Sequence, residues 1–217
     1  GSFSGSGMSG AVFTPSMANI GLNMIYYTYS NSRGCISKDS LQVNVYNPPS
    51  VSITSSMDSA YCSNDAGFSI NAAPSGGVFS GSMSSSYFDP ANLFAGPQQI
   101  IYTYMDSNAC INSDTVHTML HSKPTVFVAT TNNQEICSNG NSLVLSAYPS
   151  GGSFAGPGVG GNMFDPAVAS SGVNLIQYTY TDNNGCTNYD SISVYVNNPP
   201  SVQITSALNA SYCSHEA

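Results

Sequence analysis

Tyr178-Thr179-Tyr180-Thr181-Asp182-Asn183-Asn184-Gly185-Cys186-Thr187-Asn188-Tyr189-Asp190-Ser191-Ile192-Ser193-Val194-Tyr195-Val196 decides the fold, because the same text occurs three times. Tyr27-Thr28-Tyr29 leads to Gly34-Cys35 and Asp39, and Tyr102-Thr103-Tyr104 leads to Ala109-Cys110 and Asp114. The hairpin cysteines stand at positions 35, 110 and 186, a period of about 75 residues. A fixed period of this size marks an array of similar modules.

Other landmarks keep the step. Phe3, Phe79 and Phe154 each sit in Gly-x-Phe-(Ser/Ala)-Gly; Phe13, Phe88 and Phe164 each precede a Thr-Pro or Asp-Pro corner. Pro49, Pro124 and Pro200 precede Val51, Val126 and Val202, and Cys62, Cys137 and Cys213 recur between them. The expected organisation is therefore residues 1–48 as the later part of one repeat, 49–124 and 125–200 as complete repeats, and 201–217 as the start of another. On this reading the chain is an excerpt of a longer protein.

Within a repeat the apolar residues alternate. Ile25, Tyr27 and Tyr29, then Leu41, Val43 and Val45, have the period of half-buried strands, and Ser30 to Gly34 supplies a turn between them. The same offsets return at Ile100, Tyr102, Tyr104 with Val116, Thr118, Leu120, and at Ile176, Tyr178, Tyr180 with Ile192, Val194, Val196. About six or seven short strands per repeat and no helical period predict tandem immunoglobulin-like β-sandwiches, all-β and antiparallel. The Pro-Pro and Lys-Pro junctions contain no flexible run, so the modules are expected to stack as a rod.

Composition narrows the function. Lys and Arg total 3 against 11 Asp and Glu, and charged residues are only 6 % of the chain. Nucleic-acid binding needs a basic footprint, which is missing, and no apolar run is long enough for a membrane helix. Six cysteines at two per period point to an oxidising compartment. Their gaps alternate between 27 and 48 or 49 residues, and His117, His121 and His215 do not recur, so the spacing does not suit zinc.

The cysteine connectivity has three readings. An intramodular scheme joins Cys62 to Cys110 and Cys137 to Cys186, leaving Cys35 and Cys213 to partners outside the excerpt. A second joins Cys35 to Cys62, Cys110 to Cys137 and Cys186 to Cys213. The third joins Cys62 to Cys186. The intramodular scheme is the expected one, because a module carrying two cysteines is then self-sufficient, although it must connect opposite poles of a sandwich.

No constellation of Ser, His, Asp or Cys unique to one repeat suits catalysis, so no enzyme is expected. The repeated tyrosines fit a packing face, with sugar stacking as the rival. Calcium is the one cofactor left open, from Asp114 with Asp106 and Asp190 with Asp182. It wants six or more oxygens, and no ligand-rich loop supplies them.

The combined motifs Gly151-Gly152-Ser153-Phe154-Ala155-Gly156, Phe164-Asp165-Pro166-Ala167 and Ile176 to Cys186 resemble repeats of giant secreted surface proteins of the Bacteroidota. That family includes gliding-motility adhesins exported by type IX secretion. The resemblance implies a non-enzymatic stalk or filament segment of an extracellular, cell-surface adhesin; a spacer or carbohydrate-binding module of a large secreted polysaccharide-degrading enzyme is the alternative. It further implies O-glycosylation in Asp-(Ser/Thr)-aliphatic sequences, placing glycans on Ser40, Thr115 and Ser191, with Ser59 in a related context. The partners it implies are neighbouring repeats, surface polysaccharide or other filament chains.

Overall fold

A computed structural model describes residues 1–130, 134–205 and 214. The chain divides into two compact units, Gly1–His121 and a second that begins at Ser122. Strands are the regular structure of both; among the described residues the helical turns are Pro15–Met17 and Pro90–Asn92, three residues each.

The second unit contains the plainest module. One sheet sets Ser153–Ala155 beside Gly172–Thr181, then Thr187–Asn197, then Glu135–Cys137. The other sheet runs Phe127–Thr130, Leu143–Tyr148, Met163–Phe164, Val159–Gly160. Alternate residues of the Gly172–Thr181 and Thr187–Asn197 hairpin point inward, so Ile176, Val194 and Val196 pack with Leu143, Leu145 and Phe164 between the sheets. These six are at most 4 % exposed, which makes this a two-layer sandwich core.

The first unit repeats the design over residues 52–121. Val78–Gly81, Gly96–Met105, Ile111–His121 and Ala60–Cys62 form one sheet, and two short pairs, Ser52–Ile53 with Ala72–Ala73 and Phe68–Ser69 with Tyr87–Phe88, cover it. Ile70, Met83, Phe88 and Ile100 form its core. Residues 1–48 supply only a three-stranded sheet, Ser2–Ser4, Gly21–Ser30 and Ile36–Val45, plus the Met8–Ser9 and Val12–Phe13 pair.

Register is conserved across all three hairpins. Tyr27 faces Asp39, Tyr102 faces Asp114, and Tyr178 faces Asp190. On the other side of each tyrosine lies a phenylalanine, Phe3, Phe79 or Phe154, with ring centroids 4.8, 4.8 and 4.6 Å apart. Sequence period and spatial period are thus the same.

One element departs from an all-antiparallel sandwich. Ala60–Cys62 and Glu135–Cys137 pair in parallel with the ends of Ile111–His121 and Thr187–Asn197. The polar loop expected up to Tyr61 therefore ends in a three-residue edge strand whose last residue is the cysteine.

That strand overturns the intramodular disulfides. Cys62 lies opposite His121, at the far end of the strand that Cys110 precedes, and Cys137 lies opposite Asn197 while Cys186 precedes Thr187. Eleven residues at ~3.3 Å each set the Cα atoms roughly 35 Å apart, whereas a disulfide needs Cα atoms within about 7 Å. Cys35, Cys110 and Cys137 are free thiols, so the second scheme fails as well. Cys62 and Cys186 are both disulfide-bonded. Cys213 lies outside the described residues.

Candidate functional site

The polar residues that recur in every repeat converge on the hairpin, and each has a structural partner. Asp190 accepts two backbone N–H groups: Ser191 at Oδ1, 2.8 Å, and Val128 at Oδ2, 3.0 Å. Two residues earlier on the same face, Asn188 Nδ2 donates to Pro124 O at 2.8 Å. Asp114 accepts from Thr115 and from Ile53, both at 2.8 Å, and Asn112 donates to Pro49 O at 2.8 Å. In both modules an Asn-x-Asp pair thus clamps the incoming Pro-x-Val strand to the hairpin. A carboxylate suits this position because a hydrogen bond to a charged acceptor is stronger than a neutral one.

Tyrosine forms a second clamp. Tyr178, 2 % exposed, donates its hydroxyl to Pro149 O at 2.7 Å and accepts from Gly152 N at 2.6 Å. Tyr102, 3 % exposed, donates to Pro74 O and accepts from Gly77 N at 2.7 Å. Pro74 and Pro149 each follow a cis peptide bond. Only glycine fits beside the ring, since a Cβ on Gly152 would lie 2.6 Å from Tyr178 Cζ and one on Gly77 2.6 Å from Tyr102 Cζ. These tyrosines are packing residues, as the first reading of the face expected, and they have no free ring face for a sugar.

A third recurring device was not evident from the sequence. Asn174, 1 % exposed, donates to Ser170 O and Gly172 O, and Gln98 and Asn23 at the equivalent register donate to Phe94 O and Gly96 O and to Asn19 O and Gly21 O. Each buried amide closes the loop that enters its hairpin. The signal that would have found it is a polar residue at an inward position of an alternating strand.

The turns account for the carboxylates considered for calcium. Asp182 Oδ1 accepts from Asn184 N at 2.8 Å and Cys186 N at 2.9 Å; Asp106 does the same for Asn108 and Cys110, and Asn31 for Arg33 and Cys35. These are Asx turns, in which the side chain imitates a backbone carbonyl. Among the described residues no three His, Cys, Asp or Glu come close enough together to hold a metal.

Of the glycan candidates, Ser40, Ser59 and Ser191 are exposed and Thr115 is half-buried. Their strand is not a free edge throughout: Met119–His121 and Tyr195–Asn197 are already paired on the outer side. Ser191 and Thr115 precede those paired stretches, on the face opposite the aspartate clamp.

The residues thus define a class, tandem all-β sandwich repeats held by recurring internal clamps. No protein-family model and no curated protein matches the chain. Among solved structures it is similar to a Ca2+-stabilized adhesin that helps an Antarctic bacterium reach out and bind ice, at 12 % identity, 83 % of this chain, 58 % of that one and TM-score 0.32. It is also similar to a 1.5-MDa bacterial ice-binding adhesin, at 16 % identity, 85 % and 77 % coverage and TM-score 0.29. Mouse protocadherin-24 EC1-3 matches at 12 % identity, 91 % and 90 % coverage and TM-score 0.24. The chain spans little more than half the length of the first, and likenesses of this degree carry no part of the functional argument.

Proposed function

We propose that this chain is a non-enzymatic structural segment of an extracellular surface adhesin, a stretch of stalk or filament. The observation that carries the reading is that in both complete modules an Asp, an Asn and a Tyr of the hairpin are spent on backbone clamps at the same register. A site of chemistry would instead concentrate such groups once, with unsatisfied valences turned toward a cleft. Disulfide-bonded cysteines favour an oxidising, extracellular setting.

On this reading the Cys62 to Cys186 bond joins one module to the next, and the proline junctions keep the array semi-rigid. The resemblance to Bacteroidota surface proteins supports type IX export and O-glycosylation at Ser40, Thr115 and Ser191, with Ser59 as a further acceptor. Electron microscopy of the native surface protein, combined with its intact mass, tests both parts. Extended threads and a mass above that of the polypeptide are expected; compact particles of unmodified mass contradict the reading.

A carbohydrate-binding spacer is favoured by one feature alone. Tyr189 and Tyr195, 62 % and 44 % exposed, project from the outer face of Thr187–Asn197. Retention on immobilised polysaccharide, lost in Tyr189→Ala and Tyr195→Ala, would select that reading.

A further inference from the structure

Each complete module leaves one side of its sandwich open. In the first unit Ala72, Ser75, Gly76, Phe79, Ser85 and Ser86 line a hollow of about 580 Å3. In the second unit Ala147, Ser150, Gly151, Phe154, Gly161 and Asn162 line one of about 400 Å3 at the equivalent place. Neither lining contains a charged side chain.

Two strand edges border each hollow, one from each sheet, and the ladders fix which way their backbones point. Val128 sends its N–H to Asp190 rather than to Ala147 opposite, and the Leu145 N–H goes to Asn162 O. Alternate residues of an antiparallel strand turn both N–H and C=O to the same side, so those of Ala147 face away from Phe127–Thr130 and into the hollow. From Asn162 the chain folds back at Gly161 onto Met163–Phe164 and does not extend as far as Ala147. Ala72 stands alike, since the Ile53 N–H goes to Asp114 and the Ile70 N–H to Ser86 O.

The other edge is Ser153–Ala155 or Val78–Gly81. The Tyr195 N–H goes to Gln134 O, so it is the even-numbered residues of Thr187–Asn197, Asp190 among them, that bond to Gly172–Thr181. Tyr178 therefore bonds toward Asp190, and Phe154 on its other side has N–H and C=O turned outward. Met119, whose N–H goes to Ser59 O, fixes the same direction for Phe79 beside Tyr102.

We infer that each hollow receives one extended, uncharged segment of a partner polypeptide, which enters the open side of the sandwich as an added strand. Packed sheets lie ~10 Å apart, about two steps of the ~4.8 Å ladder spacing, so a single strand in the gap reaches both edges. Ala147 with Phe154, or Ala72 with Phe79, then bonds to its main chain, as unpaired strand edges do when they recruit a peptide. The free groups are backbone donors and acceptors at strand spacing, which specify a peptide over a sugar. Phe79 and Phe154 already lie against Tyr102 and Tyr178, with centroids 4.8 and 4.6 Å apart, and offer no flat platform for stacking. Serine and glycine at the rim leave the mouth unobstructed, and the uncharged lining disfavours an ionised side chain. A stalk built this way carries a lateral docking point in each complete module.

The test uses the intact chain and the blocked heptapeptide acetyl-Thr-Val-Ser-Ala-Ser-Val-Thr-amide, followed by amide hydrogen exchange. The N–H groups of Ala72, Phe79, Ala147 and Phe154 are expected to exchange fast in the free chain and to become protected as the peptide binds saturably, one per hollow. Methylating the nitrogen of the central alanine removes a donor and blocks close approach while keeping the side chains, and should weaken binding about tenfold or more. Ser75→Trp together with Ser150→Trp fills both hollows from exposed positions and should abolish binding with circular dichroism unchanged. Protection of the Ala72 and Ala147 amides already in the free chain overturns the inference. So does the absence of saturable binding at millimolar peptide, or equal binding of the methylated peptide. Binding of a neutral dextran that the tryptophan variant loses, with no binding of peptide, overturns it in favour of a sugar site. Each of these results leaves the stalk reading standing, since that reading rests on clamps within modules.

Discussion

The carboxylate of Asp190 accepts the backbone N–H of Val128 at 3.0 Å, across 62 residues of sequence, and Asp114 meets Ile53 at 2.8 Å in the same way. The first strand of each module is therefore held to the last hairpin by a side chain as well as by apolar contact. An N–H left without an acceptor beneath such a strand carries a desolvation cost. Asp190→Ala is expected to destabilise the second unit by about 2–3 kcal/mol. Asp39→Ala, at a carboxylate that accepts only the Ser40 N–H among the described residues, should cost far less. Urea denaturation of the two variants at low concentration checks the contrast.

Tyr178→Phe keeps the ring and removes the hydroxyl that bridges Pro149 O and Gly152 N. Two partners are left unmatched at one point, so a loss of about 2 kcal/mol is expected. The same change at the exposed Tyr29, whose hydroxyl has no hydrogen bond among the described residues, should be close to neutral. Thermal unfolding of both variants distinguishes a clamp from a generic aromatic contribution.

Ala109 has φ +61°, in the left-handed region, where Gly34 and Gly185 take φ +80° and +82° at the equivalent turn. The Cβ makes this conformation unfavourable by about 1–2 kcal/mol. Ala109→Gly is expected to stabilise the first unit by about 1 kcal/mol, part of the strain relief being offset by the greater freedom of glycine when unfolded. A lowered denaturation midpoint would show that the turn gains something from the methyl group.

Cys110 and Cys137 are free thiols, and Cys62 and Cys186 are bonded. Alkylation before reduction should label Cys35, Cys110 and Cys137. A non-reducing peptide map should return one crosslinked pair containing Cys62 and Cys186. Replacing both by serine opens a loop of about 120 residues, worth on the order of 5 kcal/mol in the chain-entropy picture.

The repeat, the hairpins and the core positions were legible because each is written locally. The alternation of Ile176, Tyr178 and Tyr180 against Ile192, Val194 and Val196 fixes both the strands and the inward face. Asp190 was harder. Beside Ser191 it reads as a polar strand start or a glycan context, and its partner Val128 is too distant in sequence for any local pattern to reveal. The hint lay in Asn188 and Asp190 sharing the parity of Ile192, which places two polar groups on the inward face. Cys62 misled for a related reason: equal counts per module favour intramodular bonds, but a three-residue parallel strand carries it to the pole away from Cys110. Asn174, Gln98 and Asn23 escaped notice because the residue type varies while the geometry does not.

The most direct measurement of the central claim, that this is a mechanical array whose disulfide joins successive modules, is single-molecule extension of the chain pulled from its two ends. About 120 residues lie between Cys62 and Cys186, each adding at most ~3.6 Å when drawn out. The oxidised chain is expected to fall short of the reduced chain by roughly 40 nm of contour length, with separate module rupture events on reduction. Equal contour lengths in the two states would contradict it.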